Sequence, residues 1–178
     1  MIIVMGVAGS GKSSQGKLLA DEMGYPWLST GEFLRMIVAG ERRKDMLAGK
    51  LLEDQEMIDV MEKVFTMVDV TDEFVLDGFP RTVIQADWML DYAKQHVIPR
   101  ISVVHIIASR ETVKQRLLER GRKDDHDDAI SERFDEYERS IKPILQHFKD
   151  NGSTIVDIDG ERDIKVVHDE IKRAIIGA

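Results

Sequence analysis

A glycine-rich segment that ends in a lysine and a serine follows the apolar run over residues 2–5. Residues 6–13 read Gly-Val-Ala-Gly-Ser-Gly-Lys-Ser and match the pattern G-x-x-x-x-G-K-[ST]. Glycines let the backbone curl so that its N–H groups converge on phosphate oxygens, and a helix that begins there directs its positive end at the same place. Lys12 can reach the outer phosphates of a nucleotide, and the Ser13 hydroxyl can bind Mg²⁺. The pattern predicts a nucleotide phosphate site formed by Gly9, Ser10, Gly11, Lys12, Ser13 and Ser14.

An acid at the end of a second apolar run is the next candidate. The run Glu73-Phe74-Val75-Leu76 is followed by Asp77 and Gly78. In phosphate-loop proteins an aspartate in this place faces the metal, usually through a metal-bound water. An Asp-Gly pair on its own is also a common turn. With the phosphate loop upstream, the acid predicts a magnesium site at Ser13 and Asp77.

Arginines form a third group of candidates, because planar guanidinium groups offset the repulsion between two phosphates and fix their geometry. Arg81 comes soon after the acid, and Arg116 and Arg120 are spaced i,i+4, so they share a helix face. Six arginines around a phosphate loop would suit two polyanionic substrates: Arg35, Arg81, Arg116, Arg120, Arg122 and Arg133. The sequence leaves open whether all six converge.

The elements that must position these residues alternate between strands and helices. Apolar runs span residues 2–5, 27–28, 74–76, 101–108 and 154–158. Most are continuously apolar, which suits strands covered on both faces. Apolar residues at helical spacing span residues 12–23, 82–95, 112–120, 130–149 and 164–176. The alternation predicts an α/β fold of the three-layer phosphate-loop type, with a five-stranded parallel sheet and helices on both faces.

The stretch between the second and third predicted strands is too long for a single crossover. Residues 31–70 show helical patterning and no convincing strand, whereas a crossover needs only a dozen or so residues. Motifs lie at both ends of this stretch, which favours a functional role. We expect a single domain over residues 1–178 that carries a small helical insertion over residues 30–70.

Composition excludes several classes of protein. The chain has 178 residues, with 33 Asp and Glu against 25 Lys and Arg, and its net charge of -8 disfavours a general binder of nucleic acid or anionic membranes. The absence of cysteine excludes disulfides, thiolate catalysis and cysteine-bound zinc. The five histidines are scattered, and the acidic run 124–128 with His126 is interpreted as a solvated turn. No targeting segment, membrane span or strong exposed apolar stripe is visible, so we expect a cytoplasmic monomer.

Taken together, these motifs resemble the adenylate kinase family of nucleoside monophosphate kinases, and the resemblance covers nearly the whole chain. It implies reversible, Mg²⁺-dependent transfer of a phosphoryl group from ATP to AMP, giving two ADP. The matching segments are the phosphate loop, Ser29-Thr30-Gly31-Glu32-Phe33-Leu34-Arg35, Asp77-Gly78-Phe79-Pro80-Arg81-Thr82 with Gln85, Arg120-Gly121-Arg122-Lys123-Asp124-Asp125, Arg133, and Lys142-Pro143-Ile144.

The resemblance also implies roles for single residues. Arg35 and Arg81 would hold the AMP phosphate, Arg116 would cover the ATP adenine, and Asp77 would orient a water on the metal. The implied catalytic set is Lys12, Asp77, Arg81, Arg120, Arg122 and Arg133. The implied ATP site adds Arg116 and Arg120 to the phosphate loop. The implied AMP site consists of Thr30, Gly31, Arg35, Leu52, Gly78, Arg81, Gln85, Arg122 and Arg133.

Thr30 and Gln85 determine the expected base. Adenylate members of the family have a threonine and a glutamine that contact adenine, whereas the pyrimidine-specific relatives have alanine and asparagine. A carboxamide accepts from the adenine amino group and donates to the neighbouring ring nitrogen. Two alternatives stay open: Ser29 and Glu32 have the spacing of a helix capping box, and Gln85 could be an ordinary exposed helix residue. We expect AMP rather than UMP or CMP as the acceptor.

The clearest departure from the family pattern is the lid. Family members carry an inserted lid between the arginines that match Arg120 and Arg122, whereas this chain has only Gly121 there. We therefore expect a vestigial lid over residues 120–125 and no lid zinc. A lid excludes water and completes the site, so its loss predicts weaker ATP binding and more ATP hydrolysis.

Two other functions stay open at the level of sequence. One is a kinase with the same loop that acts on UMP, CMP or another small molecule, against which Thr30 and Gln85 argue. The other is a nucleotide-binding switch that is not an enzyme. The presence of Lys12, Asp77 and Arg81 argues against that second function.

Overall fold

Strands and helices alternate along the chain in the computed structural model, which describes residues 1–48, 52–67, 73–96, 98, 100–123 and 125–176. The strands are β1 (Ile2–Met5), β2 (Trp27–Ser29), β3 (Val75–Asp77), β4 (Ser102–Ile107) and β5 (Thr154–Asp159). The helices are α1 (Lys12–Met23), α2 (Thr30–Ile37), α3 (Gly40–Leu47), α4 (Asp54–Met67), α5 (Val83–Gln95), α6 (Arg110–Arg120), α7 (Asp127–Asp150) and α8 (Ile164–Ile176).

The five strands form one sheet in the order β2-β3-β1-β4-β5, and every pairing is parallel. This confirms the predicted α/β fold class. The strands β1 and β3 are buried along their whole length, and β4 is buried except at Ile107, as their continuous apolar runs predict. The edge strands β2 and β5 are mostly half-buried. The third strand is displaced from the prediction by one residue, so that Asp77 belongs to the strand.

Helices cover both faces of the sheet because successive strand residues point to opposite sides. On one face, Ile3 packs in a core with side chains of α4, α5 and α7 that include Phe65, Met89 and Phe148. On the other face, residues of β1, β3, β4 and β5 pack with residues of α1 and α8. Burying a large apolar side chain stabilises a fold by about 1.5–3 kcal/mol, so these two cores hold the sheet rigid.

The strand register brings the candidate residues to one edge. Asp77 pairs with Val4 of β1 on one side and with Ser29 of β2 on the other. The carboxyl ends of these three strands therefore lie side by side, and the loop after β1 starts two residues beyond the position paired with Asp77. In open α/β sheets, ligands bind outside this edge of the sheet.

Two segments where the family pattern varies lie partly outside the described residues. Between β2 and β3 the described residues form α2, α3 and α4, while residues 49–51 and 68–72 lie outside the description. Between α6 and α7 only a short connection is present; Gly121 ends α6 in the left-handed conformation at φ 64°, and residue 124 lies outside the description. The bounds of the insertion over residues 30–70 and of the vestigial lid over residues 120–125 stay predictions.

Candidate active site

A cavity of about 520 Å³ opens at the carboxyl edge of β1, β2 and β3. It is lined by residues of the phosphate loop, α2, the start of α4, the β3–α5 connection, the α6–α7 connection and α7. Of the residues predicted from the sequence, it brings together Lys12, Ser13, Thr30, Gly31, Arg35, Leu52, Asp77, Gly78, Arg81, Gln85, Arg120, Arg122 and Arg133. Gly9, Ser10, Gly11, Ser14 and Arg116 are not among its lining residues.

The phosphate loop needs glycine at two points for different reasons. At Gly6, with φ 150°, a Cβ atom would lie 2.5 Å from the carbonyl oxygen of Ile106 on the neighbouring strand. At Gly11, with φ 103°, nothing crowds the position, but the left-handed backbone disfavours any side chain. Gly11 is the N-cap residue of α1, so the loop delivers the chain to the N-terminus of that helix. The N–H groups of the first turn are free for an anion because a helix start leaves them without partners.

Burial disfavours the charged form of Lys12. Its Nζ donates to the carbonyl oxygen of Val7 at 3.4 Å. Burial, opposed by Asp77 and assisted by the nearby Arg81, Arg120 and Arg133, lowers the pKa of Lys12 to about 8. A bound phosphate would supply the missing negative charge and stabilise the ammonium form.

The carboxylate of Asp77 is suited to a metal site, because only one of its two oxygens accepts hydrogen bonds from the described residues. Its Oδ2 accepts from Ser13 Oγ at 2.6 Å and from Ser29 Oγ at 3.3 Å. Its Oδ1 is buried and has no hydrogen-bond partner in the part of the chain that the structure describes. A buried carboxylate oxygen without a partner is costly, so it calls for a cation or a water held by one.

The environment suits Mg²⁺ in particular. Across the described ranges, no group of three or more His, Asp or Glu side chains could hold a metal by itself. Magnesium usually takes one or two protein oxygens together with water and substrate phosphates, and Ser13 and Asp77 offer that number.

Two alternatives from the sequence are wrong. Ser29 is the N-cap residue of α2, but its side chain makes no capping hydrogen bond and contacts Asp77 instead. Gln85 is only 1% exposed, so it is not an ordinary surface residue of α5.

Five of the six predicted arginines line the cavity together with Lys12: Arg35, Arg81, Arg120, Arg122 and Arg133. Arg81 donates from Nε to the carbonyl oxygen of Gly78 at 2.9 Å. Burial lowers the pKa of Arg81, Arg133 and Arg35 lower it further, and Asp77 and Glu136 oppose the shift. The cavity is therefore locally basic within an acidic protein.

Arg116, the sixth arginine, lies behind the phosphate loop. Its Nη1 donates to the carbonyl oxygens of Gly160 at 2.9 Å and Ser10 at 3.3 Å. It therefore ties the loop to the connection between β5 and α8, outside the cavity that holds the other five.

Asp125 is a site residue that the sequence interpretation missed. Its side chain is fully buried, so the prediction of a solvated turn is wrong at this position. Its carboxylate accepts from Arg120 Nε at 2.8 Å and Nη2 at 2.6 Å, and from the backbone N–H of Arg122 at 3.0 Å. Arg133 Nη1 lies 3.7 Å from the same carboxylate. Asp125 therefore joins Arg120 at the end of α6, the backbone of Arg122 in the α6–α7 connection and Arg133 of α7.

Gln85 and Thr30 also line the cavity. Gln85 Oε1 accepts from the backbone N–H of Arg81 at 2.8 Å, and Gln85 Nε2 donates to Asp54 Oδ1 at 2.9 Å. Thr30 Oγ1 donates to the carbonyl oxygen of Asp77 at 3.2 Å. Asp54, the first residue of α4, is a second residue that the sequence interpretation missed.

The sheet order, the loop after β1 and the basic cavity define a phosphate-loop nucleotide-binding protein with room for more than one anionic group. The family model described as adenylate kinase matches residues 4–153. The chain therefore belongs to the adenylate kinase family, as its motifs predict.

Curated relatives match along almost the whole chain. It is 33% identical to an adenylate kinase of Prochlorococcus marinus strain MIT 9301, over 97% of this chain and 96% of the relative. It is 31% identical to an adenylate kinase of Nocardia farcinica over 98% of each chain, and 29% identical to one of Oenococcus oeni over 98% of this chain and 96% of the relative. These alignments span 178 to 182 residues and cover nearly the whole of both sequences, so these relatives have no room for a long additional lid.

Within the described ranges, no helix combines the length and the apolar character that crossing a bilayer requires.

Proposed function

We propose that the protein is an adenylate kinase that transfers the terminal phosphoryl group of ATP to AMP, reversibly, to form two ADP. The observation that carries this proposal is the cavity that brings together the phosphate-loop Lys12, five of the predicted arginines and the buried amide of Gln85. Lys12 and the arginines can bind the phosphates of two substrates that are placed end to end in this cavity. Membership of the adenylate kinase family and the names of the relatives support the same reaction.

The mechanism needs positioning and charge neutralisation rather than a general base. The acceptor is a phosphate oxygen of AMP, whose second pKa near 6 leaves it mostly deprotonated at pH 7. Arg81 and Arg35 would bind this phosphate and aim one oxygen at the phosphorus of ATP. Lys12 would stay with the transferring group while Arg120, Arg122 and Arg133 neutralise its equatorial oxygens.

Ser13 and Asp77 would hold Mg²⁺, Ser13 with its hydroxyl and Asp77 with its carboxylate. When bound, the ion neutralises charge on the outer two phosphates of ATP. The chain's own contribution is to orient the Asp77 carboxylate through the hydrogen bonds from Ser13 and Ser29.

The short α6–α7 connection supports activity without a long lid. In the lidded arrangement, closure brings arginines to the substrate. Here Asp125 already holds Arg120 and lies beside Arg133. We propose that residues 120–125 act as a minimal lid, and that residues 30–70 form the AMP-binding insertion and move when AMP binds.

The charge and composition of the chain bear on its oligomeric state, its location and its partners. We propose that the protein works as a monomer in the cytoplasm, with ATP and AMP as its partners and neither nucleic acid nor a membrane. The net charge of -8 and the zero cysteine content support this proposal.

Measuring ADP formation from ATP and Mg²⁺ with AMP, UMP, CMP or GMP tests the proposed function. We expect rapid ADP formation with AMP alone, and slow ADP formation in the control that contains ATP without an acceptor. Activity with UMP or CMP instead would retain the mechanism and reject the acceptor. Tight ATP binding without transfer to any acceptor would favour a nucleotide-binding switch.

ATP affinity is expected to fall as the pH rises above about 8. Lys12 has a pKa of about 8 in the free protein, and bound phosphates raise it because they favour the ammonium form. The dissociation constant for ATP is therefore flat below about pH 8 and rises above it by up to about tenfold per pH unit. Calorimetric titrations between pH 6.5 and 9.5 measure this profile.

Lys12→Arg is the matched variant for that measurement. Its guanidinium stays charged over the whole range, so the profile should be flat whatever its absolute affinity. An equally steep profile in Lys12→Arg would assign the pH dependence to another group.

A further inference from the structure

We infer that Asp54 is a positioning residue that locks the side-chain amide of Gln85 in the orientation that selects a 6-aminopurine over a 6-oxopurine. The inference rests on the proposed function, because it concerns the acceptor base. Asp54 itself does not line the cavity, whereas Gln85 does. Asp54 reaches the cavity through its hydrogen bond with Gln85.

The contacts of Gln85 assign the two ends of its amide independently. The backbone N–H of Arg81 can only donate, so the amide atom 2.8 Å from it must be the oxygen, Oε1. The carboxylate of Asp54 can only accept, so the atom 2.9 Å from its Oδ1 must be the amide nitrogen, Nε2. Turning the amide over would oppose two donors at one end and two acceptors at the other.

Asp54 is itself held in place. Thr82, the N-cap residue of α5, donates from Oγ1 to Asp54 Oδ1 at 2.7 Å and accepts from the backbone N–H of Gln85 at 3.2 Å. Asp54 opens α4, whereas Thr82 and Gln85 belong to the start of α5. The hydrogen bonds among Asp54, Thr82 and Gln85, here called the lock, therefore join the helix that precedes β3 to the helix that follows it.

The locked amide keeps one acceptor position and one donor position for a ligand. Oε1 retains a second lone pair, and Nε2 retains a second N–H. The edge of a 6-aminopurine offers an amino donor beside a ring-nitrogen acceptor, which complements this pair. A 6-oxopurine offers the reverse, an oxygen beside a ring N–H, and would need the amide turned over. Buried polar groups left without partners discriminate strongly between such ligands.

Asp54→Ala removes one half of the lock and Asp54→Asn keeps it. Both hydrogen bonds to Asp54 reach the same oxygen, Oδ1, which asparagine retains. In Asp54→Ala, only the clash between the Arg81 N–H and the amide nitrogen still disfavours the turned-over orientation of the Gln85 amide. We expect the ratio of kcat/KM for AMP to that for IMP to fall about tenfold in Asp54→Ala, since a hydrogen bond to a charged group contributes that much or more. Asp54→Asn should keep a ratio close to that of the unsubstituted chain.

The control is Asp59→Ala, which removes a carboxylate from the same helix, where it accepts only from Gln55 in the described contacts. Equilibrium affinities for AMP and IMP, measured by calorimetry on all variants, report the same ratio if turnover of a variant is too slow. Thermal unfolding shows that each variant is folded.

The outcomes separate the two proposals. An AMP to IMP ratio that stays constant in Asp54→Ala, or that falls equally in Asp59→Ala, overturns the lock. A parallel loss of affinity for both nucleotides assigns Asp54 a structural role and also overturns it. Failure of the unsubstituted protein to phosphorylate AMP rejects the proposed function, whereas the affinity ratios still decide the lock.

Discussion

Replacing Arg81 with alanine is expected to lower kcat with ATP and AMP by about three orders of magnitude, while ATP affinity changes by no more than a few-fold. Arg81 lines the cavity beside Gly78 and Gln85, where the acceptor phosphate is proposed to bind. Arg81 would bind the acceptor phosphate and aim its oxygen, and losing both this alignment and a positive charge beside the reacting phosphates lowers turnover by about 10³-fold. Single-turnover kinetics and calorimetric titration with ATP separate the two quantities.

Two variants control this measurement. Arg139→Ala removes an exposed arginine of α7, whose nearest acid is Glu132 at 3.9 Å, and should leave kcat unchanged. Arg81→Lys keeps the charge but loses the planar fork, so it should recover only a small part of the activity. A loss of ATP affinity as large as the loss of kcat would place Arg81 in the ATP site instead.

The stability of Arg81→Ala should move in the opposite direction from its activity. Burial lowers the pKa of Arg81, so the free protein holds this charge at a cost, and Arg133 and Arg35 add to it. We expect the Tm of Arg81→Ala to equal or exceed that of the unsubstituted chain. Binding sites often store such a cost because the ligand relieves it.

Much of the fold was predictable because its signals are local. Continuous apolar runs mark the central strands, and helical spacing marks α1 and α8 at the residues observed. The phosphate loop was predictable for the same reason, since its glycines and Lys12 lie within eight residues. The carboxyl ends of parallel strands meet at one edge, so the closeness of Ser13 and Asp77 also follows from the fold class.

Asp125 was missed because a run of acids usually is a solvated face. What buries it is the packing of α6 against α7 through Val113, Leu117 and Phe134, which brings Arg120 and Arg133 to the same point. A counterion is then required, and one acid of the run supplies it. One feature of the sequence could have indicated the buried role of Asp125, namely its position three residues after Arg122.

Asp54 lies beyond local reasoning. It is separated from Gln85 by 31 positions, and residues 68–72, outside the described ranges, lie between them. Its own neighbourhood indicates only an acid in the first turn of a helix, which is a common and favourable place. Only the packing of α4 beside α5 turns that acid into a partner of the amide.

Asp77→Ala is expected to lower kcat by about 100-fold and to raise the Mg²⁺ concentration needed for half-maximal activity, since outer residues that orient a metal's ligands contribute 10–100-fold. The variant removes the buried Oδ1, which has no partner among the described residues, and the Oδ2 that binds Ser13. Magnesium titrations of the reaction at fixed ATP and AMP measure both quantities. Ser29→Ala, which removes only the 3.3 Å contact to Oδ2, should have a much smaller effect.

A second readout of the same variant does not depend on magnesium or on turnover. Asp77 raises the pKa of Lys12 against the effect of burial, so without this carboxylate the pKa of Lys12 must fall below about 8. The pH above which metal-free ATP binding weakens should therefore move to a lower value in Asp77→Ala. A changed magnesium requirement with an unmoved pH profile would mean that Asp77 serves the metal site alone. An unmoved profile together with an unchanged magnesium requirement would remove Asp77 from the site, and with it the proposed division of labour between Lys12, Ser13 and the acid at the end of β3.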